Sequence, residues 1–268
     1  MRKDLAMPAS VSLILPAYNE AARIEHTIRR ASDYFQPRGI RYEIIVSADG
    51  TDGTREIASR LIPTIPSLKV IGSTERRGKG VGIRDAVKLA TGDIVGFADA
   101  DDKTPVEEFD KFLPLLERGF DVVIGSRATT GARIERPQPW YRRAGSKGFA
   151  IAMHAIAGLH EIKDTQCGFK FFKRAVALDL FSRQRIDGYM FDVEILYLAN
   201  RAGFSIAQVP VLWRDDADSR LNLIAGNIRN GIDLLRIRWI HRFARSSSLR
   251  PSPTELIPDK TLSRSKER

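Results

Sequence analysis

The chain has 268 residues, with 43 Lys and Arg against 33 Asp and Glu and a formal net charge of +10. Hydrophobic residues at 43% and charged residues at 28% supply a large core and exclude an intrinsically disordered chain. A single cysteine, Cys167, excludes a disulfide framework and a thiolate zinc site. The basic excess points to an anionic partner: nucleic acid, an anionic membrane surface or a phosphorylated substrate.

Residues 1–9 form a short polar tail with no apolar segment of the signal-peptide kind. Val11 to Pro16 predicts a first strand, and Asn19 to Phe35 a helix capped by Asn19. Tyr42 to Ala48, Leu68 to Ile71 and Ile94 to Ala98 read as further strands, separated by helices at Asp52 to Leu61 and Val81 to Ala90. A helix from Val106 to Glu117 leads to a strand that delivers Arg127 at its end. This βαβ alternation predicts an α/β fold, a mostly parallel Rossmann-like sheet with helices on both faces.

Beyond a polar loop at Thr129 to Pro139, Tyr141 to Leu159 predicts a helix with a basic head. Helices from Arg174 and from Asp192 to Arg201 follow, then a late strand from Ser205 to Trp213. Asn222 to Phe243 predicts a long basic amphipathic helix, with Leu223, Ile224, Ile228, Ile232, Leu235 and Trp239 near helical spacing. Residues 244–268 are rich in Ser, Pro, Arg and Lys and read as a disordered basic tail. No run reaches the roughly 18 apolar residues of a membrane-spanning helix. The expectation is a cytoplasmic protein, peripheral where it meets a membrane.

Chemistry concentrates where strands end, because ligands of open α/β sheets gather outside their carboxyl ends. The run Ile94 to Ala98 stops at Asp99-Ala100-Asp101, whose hard oxygens suit Mg²⁺ or Mn²⁺ bridging to a nucleotide diphosphate. Glycine amides and Lys79 in Gly78-Lys79-Gly80, at the opening of a helix, suit phosphate or sugar hydroxyls. The histidines His26, His154, His160 and His241 lack ligand spacing and are read as surface or packing residues, and Cys167 as a small buried apolar side chain. No zinc finger or aromatic-basic RNA signature occurs, so nucleic acid is not an expected partner.

The ordered series Pro16-Ala17-Tyr18-Asn19-Glu20, Asp49-Gly50-Thr51-Asp52-Gly53-Thr54, Gly78-Lys79-Gly80, Asp99-Ala100-Asp101 and Gly125-Ser126-Arg127 resembles the family 2 glycosyltransferases of GT-A fold. Asp164 to Lys170, Phe191 to Glu194 and Val209 to Trp213 resemble the branch of dolichyl-phosphate glucosyltransferases and polyprenyl-phosphate glycosyltransferases. The resemblance implies a GT-A domain over 10–243, with a nucleotide-sugar half at 10–127 and an acceptor half with the basic helix at 128–243. It further implies that Pro16, Ala17, Tyr18, Glu20, Asp49, Lys79, Asp99, Ala100, Arg214 and Arg220 bind the nucleotide-sugar, with Asp99 and Asp101 holding the metal. Arg127, Arg142 and Arg143 would take the acceptor phosphate. Asp164, Asp101 and Arg127 are the implied catalytic residues, Asp164 as general base or as positioning group.

The chain departs from the family at Ser47-Ala48-Asp49-Gly50, at Asp218-Ser219-Arg220-Leu221, and at Lys103, where mannose-transferring relatives carry Gln. The implied activity is inverting transfer of a hexose, glucose foremost, from a UDP-sugar to a polyprenyl or dolichyl phosphate on an anionic membrane surface. Alternatives are a soluble family 2 enzyme with a small phosphorylated or hydroxyl acceptor, or a GDP-mannose-dependent polyprenyl-phosphate mannosyltransferase.

Overall fold

The computed structural model of the chain describes residues 10–135, 156–214 and 223–243, the side chains of the last stretch from residue 230 onward. In the first stretch, strands β1 (Val11–Tyr18), β2 (Tyr42–Asp49), β3 (Leu68–Ile71), β4 (Ile94–Ala98) and β5 (Val122–Ser126) alternate with helices α1 (Ile24–Phe35), α2 (Thr54–Ser59), α3 (Lys79–Leu89) and α4 (Leu113–Glu117). A short strand β6 (Arg133–Ile134) ends it. Then come β7 (Phe169–Lys173), α5 (Arg174–Arg183), α6 (Phe191–Ala202), β8 (Ile206–Pro210), β9 (Leu212–Trp213) and α7 (Leu223–Ile240).

Seven strands make one sheet in the order β3-β2-β1-β4-β7-β5-β8, and β6 pairs with β9 beside it. β1 runs parallel to both β2 and β4. Successive side chains of a strand point to opposite faces, so Leu13 and Leu15 pack on the side of Ile28 and Phe35 of α1, while Ile14 packs on the side of Ile83 and Phe191. Burial on both faces is why these strands read as continuous apolar runs rather than alternating ones.

β7 lies antiparallel between β4 and β5 and was not legible as a strand, because Lys170 interrupts its apolar run. It joins β4 to β5 within the sheet and carries Gly168 up to Asp99, whose amide donates to the Gly168 carbonyl at 3.1 Å.

Four predicted elements change shape. Helix α1 starts at Ile24 rather than Asn19, because Asn19 holds φ 55° in the left-handed region and residues 20–23 form a turn. The Val106 to Glu117 helix divides into a 3₁₀ segment (Val106–Lys111) and α4, which begins just ahead of Pro114. The late strand divides at Val211 into β8 and β9, which belong to different sheets. On α7, Ile232, Leu235 and Trp239 share a face, but that face is exposed; Leu234, Ile237 and His241 are the buried ones. Residues 1–9, most of the Tyr141 to Leu159 helix, Arg142, Arg143, His154, Arg220 and the 244–268 tail lie outside the described residues.

Candidate active site

The carboxyl ends of β1, β2, β4 and β5 bring polar groups to one edge of the sheet. Asp49, the last residue of β2, is buried and accepts the Ser73 and Arg77 amides at 3.1 and 2.8 Å, with the Arg77 guanidinium at 3.4 Å. It thereby fixes the loop between β3 and α3. Arg76 of that loop lies 4.3 Å above the half-exposed Tyr18 ring, which ends β1. Glu20 follows in a turn anchored through its own amide to the Thr54 hydroxyl, and Asp52 ties that turn to the start of α2 by accepting the Ala21 amide. Pro16 is half-buried and Ala17 is buried in the β1 run that leads to this edge.

At the end of β4, two carboxylates meet two lysines. Lys79, in the first turn of α3, reaches Asp99 at 2.6 Å, and Lys103 reaches Asp101 at 3.0 Å. Ala100 between them is buried, its carbonyl accepting the Thr27 hydroxyl at 2.8 Å. Burial works against the charge of Lys79, yet Asp99 and then Asp192 hold it protonated well above the usual lysine range. Two glycines permit this arrangement. A Cβ on Gly168 would fall 2.0 Å from an Asp99 oxygen. Gly78 has φ 111°, and a Cβ there would meet the Asp187 carbonyl at 2.3 Å.

Across from Asp99, Arg127 and Asp164 form a closed pair. The Arg127 amide and Nε donate to one Asp164 oxygen at 2.9 and 2.8 Å, and Nη2 donates to the other at 3.0 Å. Burial disfavours the Asp164 charge, but these Arg127 contacts hold its carboxyl below the usual range. A carboxylate with its oxygens so engaged is a poor proton acceptor and a good fixed point. Arg127 also lies 5.4 Å from the Trp213 ring. Beneath Asp99, fully buried Lys170 donates to Asp192 and to the Cys167 carbonyl, both at 2.6 Å. Burial pushes the Asp192 carboxyl up, with Lys170 and Lys79 acting against that rise.

The structure thus brings Lys79, Asp99, Asp101, Arg127 and Asp164 into one region, with Tyr18, Glu20 and Asp49 at neighbouring strand ends. Arg214 joins the Asp101 end of this region, lining one cavity with Asp101, Asp102 and Lys103: its amide donates to the Lys103 carbonyl at 2.8 Å, and its guanidinium reaches Glu135 at 3.5 Å and Asp102 at 3.8 Å. Cys167 is buried as expected, and burial pushes its thiol up to about 11. His241 is a packing residue with a polar task, since its Nε2 lies 2.6 Å from buried Glu194.

Sequence reasoning gave no role to Arg76, Arg77, Lys170, Asp192 or Glu194. For the last three a signal existed: a lone cation among aromatics at 169–172 and two acids inside the apolar run 191–199. Charged residues are almost never fully buried unless paired.

A model of the Glycosyl transferase family 2 matches residues 12–181. A dolichyl-phosphate beta-glucosyltransferase of Trichomonas vaginalis is 33% identical over 238 residues, covering 84% of this chain and 70% of the relative. The Saccharomyces cerevisiae dolichyl-phosphate beta-glucosyltransferase is 32% identical over 252 residues, covering 86% and 75%. Among solved structures, glucosyl-3-phosphoglycerate synthase from Mycobacterium tuberculosis, in complex with Mn²⁺, uridine diphosphate and phosphoglyceric acid, superposes with TM-score 0.62 and 25% identity, over 86% of this chain and 78% of that one.

Proposed function

The chain belongs to glycosyl transferase family 2 and is a glycosyltransferase; from that premise we propose that it moves a hexose, glucose by preference, from a UDP-sugar to a polyprenyl or dolichyl phosphate at the cytoplasmic face of a membrane. The observation that carries this reading is the presence of two unlike kinds of charge pair at the same edge of the sheet: lysine-matched Asp99 and Asp101, and the locked Arg127–Asp164 pair. The first suits a diphosphate that must arrive and leave, the second an acceptor that must be aimed. The likeness to dolichyl-phosphate glucosyltransferases spans both sides of this site and supports the choice of acceptor.

Inverting transfer places the acceptor oxygen opposite the leaving nucleoside diphosphate, so charge gathers on the diphosphate as the glycosidic bond breaks. Stabilising that charge is the main catalytic demand. Lys79 and Lys103 present ammonium groups there. Asp99 and Asp101 carry the hard carboxylate oxygens that Mg²⁺ or Mn²⁺ prefers and would be the residues to hold such an ion. When bound, the ion adds Lewis-acid stabilisation of the leaving diphosphate. Tyr18 with Arg76, and Asp49 through the loop it fixes, line the nucleoside end.

A phosphate monoester loses its second proton near a pKa of about 6, so the acceptor arrives largely as the dianion. Proton removal is then unnecessary. Asp164 acts as a positioning group, holding Arg127 aimed at the acceptor phosphate; from the sequence, Arg142 and Arg143 are assigned to that same phosphate and Arg220 to the diphosphate of the donor. The test is transfer of label from UDP-[¹⁴C]glucose, with Mg²⁺ or Mn²⁺, to a short polyprenyl phosphate, scored by partition into organic solvent. Label in the organic phase is the expected result. Donor consumption that leaves all label in water overturns the lipid acceptor in favour of a small phosphorylated one.

A further inference from the structure

Among the described side chains of 230–243, helix α7 and the turn after it present two apolar faces, one buried and one exposed. Leu234, Ile237 and His241 point into the protein, with His241 joined to Glu194. Ile232, Leu235 and Trp239 recur at spacings of three and four, which places them on one side of the helix, and Phe243 follows in the turn just after its end. All four are exposed, Trp239 at 67% and Phe243 at 80%. Scattered exposed apolar residues need no explanation, but an aligned row of large ones marks an interaction surface.

The charges beside this row identify its occupant. Arg236, Arg238 and Arg242 are exposed, and Asp233, the one acid among the described side chains from 230 to 243, is only partly exposed. Arg242 lies 4.6 Å over the Trp239 ring and 4.8 Å over the Phe243 ring, so cation and aromatics occupy the same patch. Aromatic rings at the level of lipid headgroups, with arginines reaching the phosphates, are the pattern of a helix lying in a membrane interface.

We propose that the Ile232, Leu235, Trp239 and Phe243 face of α7 seats on an anionic bilayer, with Arg236 and Arg242 on its headgroup phosphates. The proposal deepens the lipid-phosphate reading above and rests on it for its purpose, bringing the site to its acceptor. The opposite face fixes the geometry. Glu194, held by His241, also accepts the Arg185 and Ile186 amides at 2.8 Å each. The next carbonyl along, Asp187, receives the Gly80 amide of α3 at 2.9 Å. A surface seated on α7 therefore has a defined position relative to Lys79 and Asp99. Among the described residues no helix is long and apolar enough to cross a membrane, so attachment through this face is lateral.

The test is sedimentation of the full chain with phosphatidylcholine vesicles containing phosphatidylglycerol, against pure phosphatidylcholine vesicles, for wild type and for Trp239→Ser/Phe243→Ser. Each variant is also assayed for transfer to a short, water-soluble prenyl phosphate. The expected result is wild-type binding that requires the anionic lipid, weakened by about tenfold or more in the double variant. Transfer to the soluble acceptor stays within twofold of wild type, on the order of assay scatter. Arg236→Gln/Arg242→Gln, which keeps the apolar row, weakens binding by about fivefold per charge and reduces its salt dependence.

Vesicle binding unchanged in the Trp239/Phe243 variant overturns the proposal, as does a wild-type chain that ignores anionic vesicles. A self-associating wild type that the same variant converts to monomer overturns it in favour of a second copy on this face. Vesicle binding that follows the proposal, in a protein that glycosylates no prenyl phosphate, sinks the acceptor reading and leaves the surface standing.

Discussion

The carboxylates at the rim of the site and those beneath it differ in partner and in burial. Asp99 and Asp101 keep 39% and 20% of their side chains exposed, and each meets one lysine ammonium. Asp164 and Asp192 keep 8% and 5%, and their partners are the forked Arg127 guanidinium and the fully buried Lys170. An ammonium on a flexible stem is a point charge that can turn from a carboxylate to a phosphate, whereas a bidentate guanidinium fixes direction as well as distance. The difference separates two kinds of carboxylate: those paired with one ammonium at an accessible position, which a ligand can draw apart, and those of the frame, buried against a partner that holds them in one place.

The sharpest break of this comparison separates activity from stability. Asp101→Asn should lower transfer by about 10³-fold or more, through lost stabilisation of charge at the diphosphate, while costing no more than about 1 kcal/mol of stability because its pair is partly exposed. Steady-state kinetics and thermal unfolding on the same preparation decide it. Turnover within tenfold of wild type, on the order of 1.4 kcal/mol, sinks the assignment of Asp101.

Lys170→Met is the converse. It leaves Asp192 buried without its partner, and breaking such a pair costs about 3–5 kcal/mol. For a chain of this size that is a fall in Tm of about 10 °C. Replacing both residues, as Lys170→Met/Asp192→Leu, should recover most of the loss, since apolar substitutes for a buried pair are often neutral. A single variant as stable as wild type would show that the pair contributes nothing to the frame.

The sequence displayed the rim far better than the frame. Strands β1 to β5 were legible because each is an apolar run broken by polar residues, and the rim residues sit at those breaks. Asp99, Asp101 and Arg127 are therefore placed at strand ends by position along the chain, and the family resemblance supplied their implied roles. Lys170 and Asp192 are 22 residues apart and meet only because β7 inserts antiparallel between β4 and β5, a tertiary event that leaves no local period. Asn19 failed as a cap for a related reason: its backbone is left-handed, and its side chain packs against Gly50, distant in sequence, where an added Cβ would lie 2.2 Å from the Asn19 Oδ1. Local chemistry was readable, and long-range pairing was not.

Glu43 is the intermediate case and the smallest expected effect. It is buried on β2, but one of its partners, Lys69, is 46% exposed at 2.6 Å. Burial would raise its carboxyl, yet Lys69, Ser12 and Thr91 together lower it from 4.5 to about 2. A carboxyl lowered in the folded state stabilises the protein above its unfolded pKa, and that contribution is lost as pH falls through the folded one. Here the window runs from about 4.5 down to about 2. The shift alone corresponds to about 3 kcal/mol, and screening at the exposed Lys69 reduces the expected value to about 2 kcal/mol. Glu43→Gln should therefore be less stable than wild type by about that amount at pH 7, and urea unfolding of the two proteins should converge as pH drops through this window. A difference that stays constant with pH would assign Glu43 to packing rather than charge. It would also leave buried carboxylates with exposed lysines on the side of the frame.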